Sequence, residues 1–321
     1  MRIDWQSVSR VGSDRSRFVD LTGRLAAVCA AIGVLAACPP PNSQAATGLS
    51  FLEIGAGARA VALGDAVVSN VSDPSASYWN PGALALMDRT RAEVTHNESF
   101  RDVRYEFAGL THGFGRSGAG LAFHGVWSDD IPKTDETGRN VGTFAYYGVV
   151  LSGSYAYAVT EQIGVGFGVE YLREIVDEYV ADGLAGNVGI QWRELLPRTD
   201  FGAALLHLGS SLEYETESFD LPLIVQGGLT HTVPLAAADG SVRVACEVRA
   251  VRDDDTSILF GTEYRYREFA SLQAGYRSGL DTQDVSFGFG LGGNRVGAQY
   301  AFVPFGEDLG EQHRISLRAT W

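Results

Sequence analysis

The sequence predicts an all-β protein: a transmembrane antiparallel β-barrel of about 14 strands with a small N-terminal helical hatch in its lumen. Three observations lead there. From residue 91 onward, segments about ten residues long alternate with period two, and that is the length a tilted strand needs to cross a bilayer. Glycine makes up 39 of 321 residues, against a usual share of about 7%, and it gathers on one face of those segments. Beyond residue 45 the chain has no apolar run approaching the ~18 residues of a membrane helix, which excludes a helical bundle.

Residues 1–45 read as a secretory signal peptide. Arg15, Arg17 and Arg24 precede the apolar run Leu25–Ala37, which is 13 residues long and too short to span. Ser43 and Ala45 occupy the small positions of a cleavage site after Ala45. An alternative reading acylates Cys38, since Leu35-Ala36-Ala37-Cys38 resembles a lipobox. The polar stretch before Arg24 also leaves open a translation start further downstream. Cys246 is the sole cysteine in the body of the chain, so a disulfide scaffold is excluded. Removing residues 1–45 takes away five arginines and three aspartates, and the net charge moves from −14 to −16. A chain this acidic lacks the basic surface that nucleic acid requires.

Residues 46–88 do not alternate and form the expected hatch. Asp73-Pro74 and Asn80-Pro81 each look like a helix start, a capping side chain followed by proline. Residues 89–321 form the expected barrel, with strands near 91–97, 103–112, 117–128, 143–158, 161–175, 184–193 and 199–208, then 222–232, 241–251, 256–267, 269–277, 284–292, 295–303 and 312–321.

Three strands show the alternation best. Ile163, Val165, Phe167, Val169 and Tyr171 oppose Gly164, Gly166, Gly168 and Glu170. Val242, Val244, Cys246 and Val248 oppose Arg243, Ala245, Glu247 and Arg249. Val285, Phe287, Phe289 and Leu291 oppose Ser286, Gly288, Gly290 and Gly292. An inner face rich in glycine implies something packed closely against the wall.

The connections alternate between long outer loops (129–142, 209–221, 278–283, 304–311) and short inner turns, with 233–240 a longer inner turn. Acidic residues crowd the outer loops, among them Asp135, Asp177, Glu213, Glu215, Asp253 to Asp255, Glu307 and Asp308. Most simply they form a solvated rim; a sharper reading is a rim that collects divalent cations or repels anionic solutes. In the last strand Ile315, Leu317 and Ala319 alternate and the chain ends on Trp321, which resembles the signal read by the outer-membrane assembly machinery.

The motifs place the chain beside a known family. Phe51-Leu52-x-Ile54-Gly55, Gly57-Ala58-Arg59-Ala60, Leu63-Gly64-Asp65-Ala66 and Tyr78-Trp79-Asn80-Pro81-Gly82 resemble the opening signature of the PorV/PorQ family, itself similar to FadL-type transporters. His207-Leu208-Gly209, Leu221-Pro222-Leu223, Gly261-x-Glu263-Tyr264, Ala274-Gly275-Tyr276, Phe287-Gly288-x-Gly290, Tyr300-Ala301-Phe302 and the run from Leu309 to Leu317 follow in order. The resemblance runs from about residue 48 to the end. It implies a 14-stranded barrel closed by an N-terminal hatch, with Arg59, Gly64, Asp65, Asp73, Trp79, Asn80, Pro81 and Gly82 as hatch residues. Asn80-Pro81-Gly82 stands where the family hatch usually has Asn-Pro-Ala, and the turn at Gly82 is expected to be looser for it.

Arg104, Glu106, Glu170, Asn187, Gln191, Arg243, Glu247, Arg249 and Glu263 fall on positions expected to face the lumen. They are expected to form ion pairs that stiffen the wall or hold the hatch, or to line a solute path. Gly55-x-Gly57-x-x-Ala60 resembles a dinucleotide fingerprint but lacks the surrounding βαβ unit. No nucleophile elbow occurs, and the scattered histidines, His124 and His207 included, have no metal-ligand spacing. Asp253 to Asp255 lacks the pattern of a calcium loop. No enzyme, cofactor or metal site is expected. Two roles remain: hatch-gated passage of small hydrophobic compounds, or an accessory barrel of type IX secretion that docks or shuttles exported proteins. Expected partners are outer-membrane lipids, the assembly machinery, a hydrophobic ligand, and secretion proteins or their cargo.

Overall fold

The computed structural model describes residues 48–98, 103–214, 217–279, 284–293, 295–306 and 310–321. The signal-peptide and lipidation readings lie outside these residues, as do Glu215, Glu307, Asp308 and most of loop 278–283. The strands are β1 (Arg91–Glu98), β2 (Arg104–Phe114), β3 (Ser117–Thr134), β4 (Asn140–Ala158), β5 (Ile163–Val176), β6 (Tyr179–Leu196) and β7 (Thr199–Gly209). After a short hairpin, β8 (Leu212–Tyr214) and β9 (Glu217–Phe219), come β10 (Ile224–Leu235), β11 (Gly240–Val251), β12 (Ser257–Tyr266) and β13 (Ala270–Arg277). The chain finishes with β14 (Val285–Gly292), β15 (Val296–Pro304) and β16 (Glu311–Thr320).

Fourteen strands form one closed antiparallel barrel, and β8–β9 stands apart from it. β1 closes on β16, with Arg91 opposite Thr320 and Glu98 opposite His313. All 14 expected strands are present. The sequence misplaced the borders of β3, β4 and β6. β3 and β4 run through most of 129–142, leaving a tip at 135–139, and β5 meets β6 across Asp177 and Glu178 alone. Strands this long exceed the ~10 residues needed to cross a bilayer. Their far ends are wet on both faces, lose the apolar alternation, and so read as loop.

Outward positions carry Val94, Leu121, Leu151, Val169, Val188, Val244, Phe287 and Leu317, which are 45 to 64% exposed. In water a continuous wall of this kind would drive aggregation; against hydrocarbon it is the stable arrangement. Exposed aromatics flank it at both ends, Tyr147, Tyr171 and Tyr276 toward the long loops and Tyr157, Phe269 and Trp321 toward the short turns. Such rings prefer the membrane interfaces. Ile315 and Leu317 belong to this outward face of β16.

The core therefore lies inside the barrel. Residues 48–88 fill the lumen with a 3-10 turn (Ser50–Glu53), α1 (Ala58–Ala62), α2 (Ala76–Trp79) and a second 3-10 turn (Pro81–Leu86). Leu49, Phe51 and Leu52 pack with Leu172, Leu212 and Leu221, so the β8–β9 loop folds over the plug at the long-loop end. Gly48 N–H donates to the Asp220 carbonyl at 3.1 Å.

Candidate functional site

The plug is built by its own caps. The Asn80 Oδ1 accepts from Gly82 N–H at 3.0 Å, with Pro81 opening the 3-10 turn. The Asp73 carboxylate accepts from Ser75 N–H at 3.1 Å and from the Ser75 hydroxyl, turning the chain into α2. Asn80 therefore caps its turn as expected, whereas α2 begins at Ala76 without a side-chain cap and Asp73 holds the residue before it. Trp79 Nε1 donates to the Ala56 carbonyl at 2.9 Å, and the Tyr78 hydroxyl to the Leu52 carbonyl at 2.8 Å. These two bonds tie the halves of the plug together.

One side of the plug sits on backbone. Met87 and Leu84 present carbonyl oxygens to Gly113 and Gly118, and Pro81 and Gly82 press on Gly166 and Gly164; at any of these four wall positions an added Cβ would collide. A Cβ on Gly82 would itself lie 2.6 Å from the Gly189 carbonyl oxygen. Glycine at 82 thus lets the turn seat directly on β5 and β6, and the expected loosening is reversed. Asn80 Nδ2 donates to the Ile190 carbonyl at 3.0 Å and to the Val68 carbonyl at 2.8 Å. Gln191 Nε2 donates to the Ser69 carbonyl at 2.7 Å.

The other side is held by charge. Arg59 forms a two-pronged pair with Glu263, Nε and Nη2 to the two carboxylate oxygens at 3.1 and 3.0 Å, and Nη2 also donates to Asn70 Oδ1 at 2.9 Å. Burial disfavours the Arg59 charge, but Glu263 outweighs it and holds the guanidinium above its usual pKa. Arg243 and Arg265 stand further from Glu263, at 3.6 and 3.7 Å. Glu247 accepts from Val68 N–H, Ser69 N–H, the Ser69 hydroxyl and Gln226 at 2.8 to 3.1 Å. Gly64 and Asp65 both adopt φ 62°, a tight turn that swings Asp65 toward Arg277 and Arg249. Arg314, stacked 4.9 Å over the Tyr105 ring, donates to the Gly55 carbonyl.

Of the expected lumenal residues, Glu170, Asn187, Gln191, Glu247, Arg249 and Glu263 are buried inside the barrel, and Arg243 reaches into it. Glu170 and Asn187 bind each other at 2.8 Å and meet His207, whose φ of 59° marks a bulge between β6 and β7. Arg104 and Glu106 face outward, where Arg104 pairs with Asp129 at 3.2 Å and Glu106 with His96 at 2.5 Å. The inner positions of β2 belong to Tyr105 and Phe107, packed around His124. A one-residue error of parity moves every side chain of a strand to the other face. Sequence reasoning also missed Arg277 and Arg314, although both alternate with outward residues, Tyr276 and Ile315.

Two cavities flank α1. One of about 330 Å³, at the long-loop end, is lined by Val61, Asp65, Ser286 and Arg314 among others. The other, about 450 Å³, opens at the short-turn end and is lined by Arg91, Arg265, Ser271, Gly290 and Arg318 among others. Successive inner positions of β14 trace the barrier: Ser286 lines the first cavity, Gly288 meets Ala62, and Gly290 lines the second. On β16, Arg314, Ser316 and Arg318 do the same, with Ser316 Oγ accepting from Ala58 N–H at 2.8 Å. At these two strands the barrier is Ala62 on Gly288 and Ala58 on Ser316, and Arg59 of the same helix pairs with Glu263. Among the described residues, no group of acidic, histidine or cysteine side chains could hold a metal.

The closed 14-strand barrel is shared by several solved structures. The fold is similar to that of the CymD monoaromatic hydrocarbon channel, with TM-score 0.61 and 13% identity over 86% of this chain and 98% of that one. It is also similar to the toluene transporter TodX of Pseudomonas putida, with TM-score 0.60 and 14% identity over 83% and 96%. A FadL homologue from Pseudomonas aeruginosa gives TM-score 0.55 and 12% identity over 83% and 98%. No family model matches the chain, and no curated protein matches it.

Proposed function

We propose that this chain is an outer-membrane channel for small hydrophobic compounds, with residues 48–88 as the gate. The observation that carries this reading is the pair of cavities with α1 between them, its alanines on Gly288 and Ser316 and its Arg59 paired with Glu263. The apolar outer wall calls for a bilayer, and the long-loop end faces the exterior. Passage needs no bond chemistry. It needs two plug positions, one joining the cavities, and a solute that binds one position better than the other. Access to the outer membrane follows from export through residues 1–45, and β16 with Trp321 is the segment the assembly machinery would read.

A bacterial host with an intact lipopolysaccharide leaflet tests it. Cells expressing the chain should take up radiolabelled alkylbenzene faster than cells with empty vector, and equal rates would refute the channel. Membership of the PorV/PorQ family, and with it service in type IX secretion, rests on the ordered sequence motifs alone. A pull-down from solubilised outer membranes that recovered secretion components or cargo would favour that role over transport.

A further inference from the structure

The cavity at the long-loop end is not the pocket a pure hydrocarbon would need. Its apolar flank is real, with Val61, Val103, Val303 and Phe305 along it. Opposite stand polar side chains almost wholly buried and incompletely satisfied. Asn97 is 2% exposed and Asp65 0%, and among the described residues the Oδ1 of each has no hydrogen-bond partner. Arg314 is 2% exposed, and among the described residues neither its Nε nor that of Arg277 finds an acceptor. Buried polar atoms are nearly always paired, and a hydrocarbon filling this space would leave both acceptors and both donors stranded.

The charges in the same space cancel. Glu53, Asp65 and Asp284 line it, against Arg277 and Arg314, with Arg249 behind Asp65 at 3.8 Å. Asp65 already takes Arg277 and Arg249, and Arg314 is committed to the Tyr105 ring and the Gly55 carbonyl. With three carboxylates against three guanidiniums, the space carries no net positive charge to draw in an anion. What remains unmet is hydrogen-bonding capacity of both kinds beside an apolar surface.

We infer that this cavity binds a neutral, hydroxyl-bearing small amphiphile, whose hydroxyl donates to Asn97 or Asp65 and accepts from an arginine Nε while its apolar body lies on Val103, Val303 and Phe305. A hydroxyl is the smallest group that does both. This ligand class rests on the channel reading but is tested separately from it. The volume of about 330 Å³ falls at the small end of ordinary ligand sites.

The experiment is isothermal titration of the purified barrel in detergent, with detergent blanks subtracted, using benzyl alcohol, toluene and benzoate as probes of one size. The expected result is saturable binding of benzyl alcohol about tenfold tighter than of toluene, with the preference lost in Asn97→Leu. Asn97→Ala, which removes the same acceptor without adding bulk, serves if Asn97→Leu fails to fold. Toluene binding as tightly as benzyl alcohol overturns the hydroxyl requirement, benzoate binding tightest overturns neutrality, and no saturable binding overturns the site. Uptake of the same three compounds by expressing cells is read in parallel. Uptake above the vector control without the binding preference rejects the ligand class and leaves the channel standing, whereas no uptake of any probe rejects the channel.

Discussion

The plug meets the barrel wall in two chemically different seats. Residues 81–87 rest on β2 to β6 through backbone and glycine, with no ion pair to the wall among the described residues. Residues 55–70 face β10 to β16 through Arg59–Glu263, Asp65–Arg277, the Glu247 acceptors and Arg314. Glycines also bring the wall close there, at Gly275 and Gly288, but cavities lie above and below. Close-packed backbone has no second arrangement, whereas an ion pair can change partners. The first seat is suited to be an anchor and the second a latch. Glu263 illustrates this: if Arg59 left, Arg243 and Arg265 would still face the carboxylate, and no buried charge would be stranded.

The comparison breaks most easily at the anchor. Gly118→Leu should abolish barrel assembly, because its Cβ would run into the Leu84 carbonyl, while Gly153→Ala, which meets only Leu121 at 3.8 Å, should assemble normally. Yield of folded barrel in the outer membrane reads both. Equal yields would mean that the plug does not seat on β3 during assembly.

At the latch, Glu263→Ala should cost about 3–5 kcal/mol in denaturant unfolding, since it leaves Arg59, Arg243 and Arg265 without their shared carboxylate. Arg59→Met should cost less, about 1–3 kcal/mol, and should raise single-channel conductance. A conductance like that of wild type would show that the latch does not hold the barrier. Asn80→Ala removes a cap and the tie to Ile190; a loss of about 1–2 kcal/mol is expected, with conductance unchanged if the anchor is passive.

The smallest effect lies outside the lumen. At the β3–β4 tip, hydrogen bonds from the Thr137 hydroxyl and from the Arg139 and Thr137 amides hold Asp135 below the usual carboxylate range. A depressed pKa contributes stability above the unfolded value and loses it as pH falls through the folded one. The protection of the Thr137 and Arg139 amides, measured against the intrinsic exchange rate at each pH, should therefore fall under acid, with no change in the plug. Protection that stayed constant would mean the tip is not held by Asp135.

Much of this was legible in advance, and for a local reason. Alternation at Val165, Phe167 and Val169 against Gly164, Gly166 and Gly168 reports strand, faces and a crowded lumen within one segment. Arg104 and Glu106 were misread because β2 is half aromatic on its inner face and charged on its outer face near the rim, the reverse of β5. Arg277 and Arg314 were passed over because a strand-end arginine looks the same whether it points at solvent or at a plug.

By itself the sequence determined the all-β class, the 14 barrel strands, the apolar outer wall and a glycine-seated plug with the Asn80 cap. All of these depend on residues within a few positions of each other. Only the tertiary structure decided that Arg59 meets Glu263, 204 residues away, that the plug leaves a cavity on either side of α1, and that glycine at 82 tightens its seat. Those outcomes depend on the register in which β1 closes on β16 and on how the plug threads the closed wall. No local pattern encodes that placement, because the partners become neighbours only once the barrel has closed.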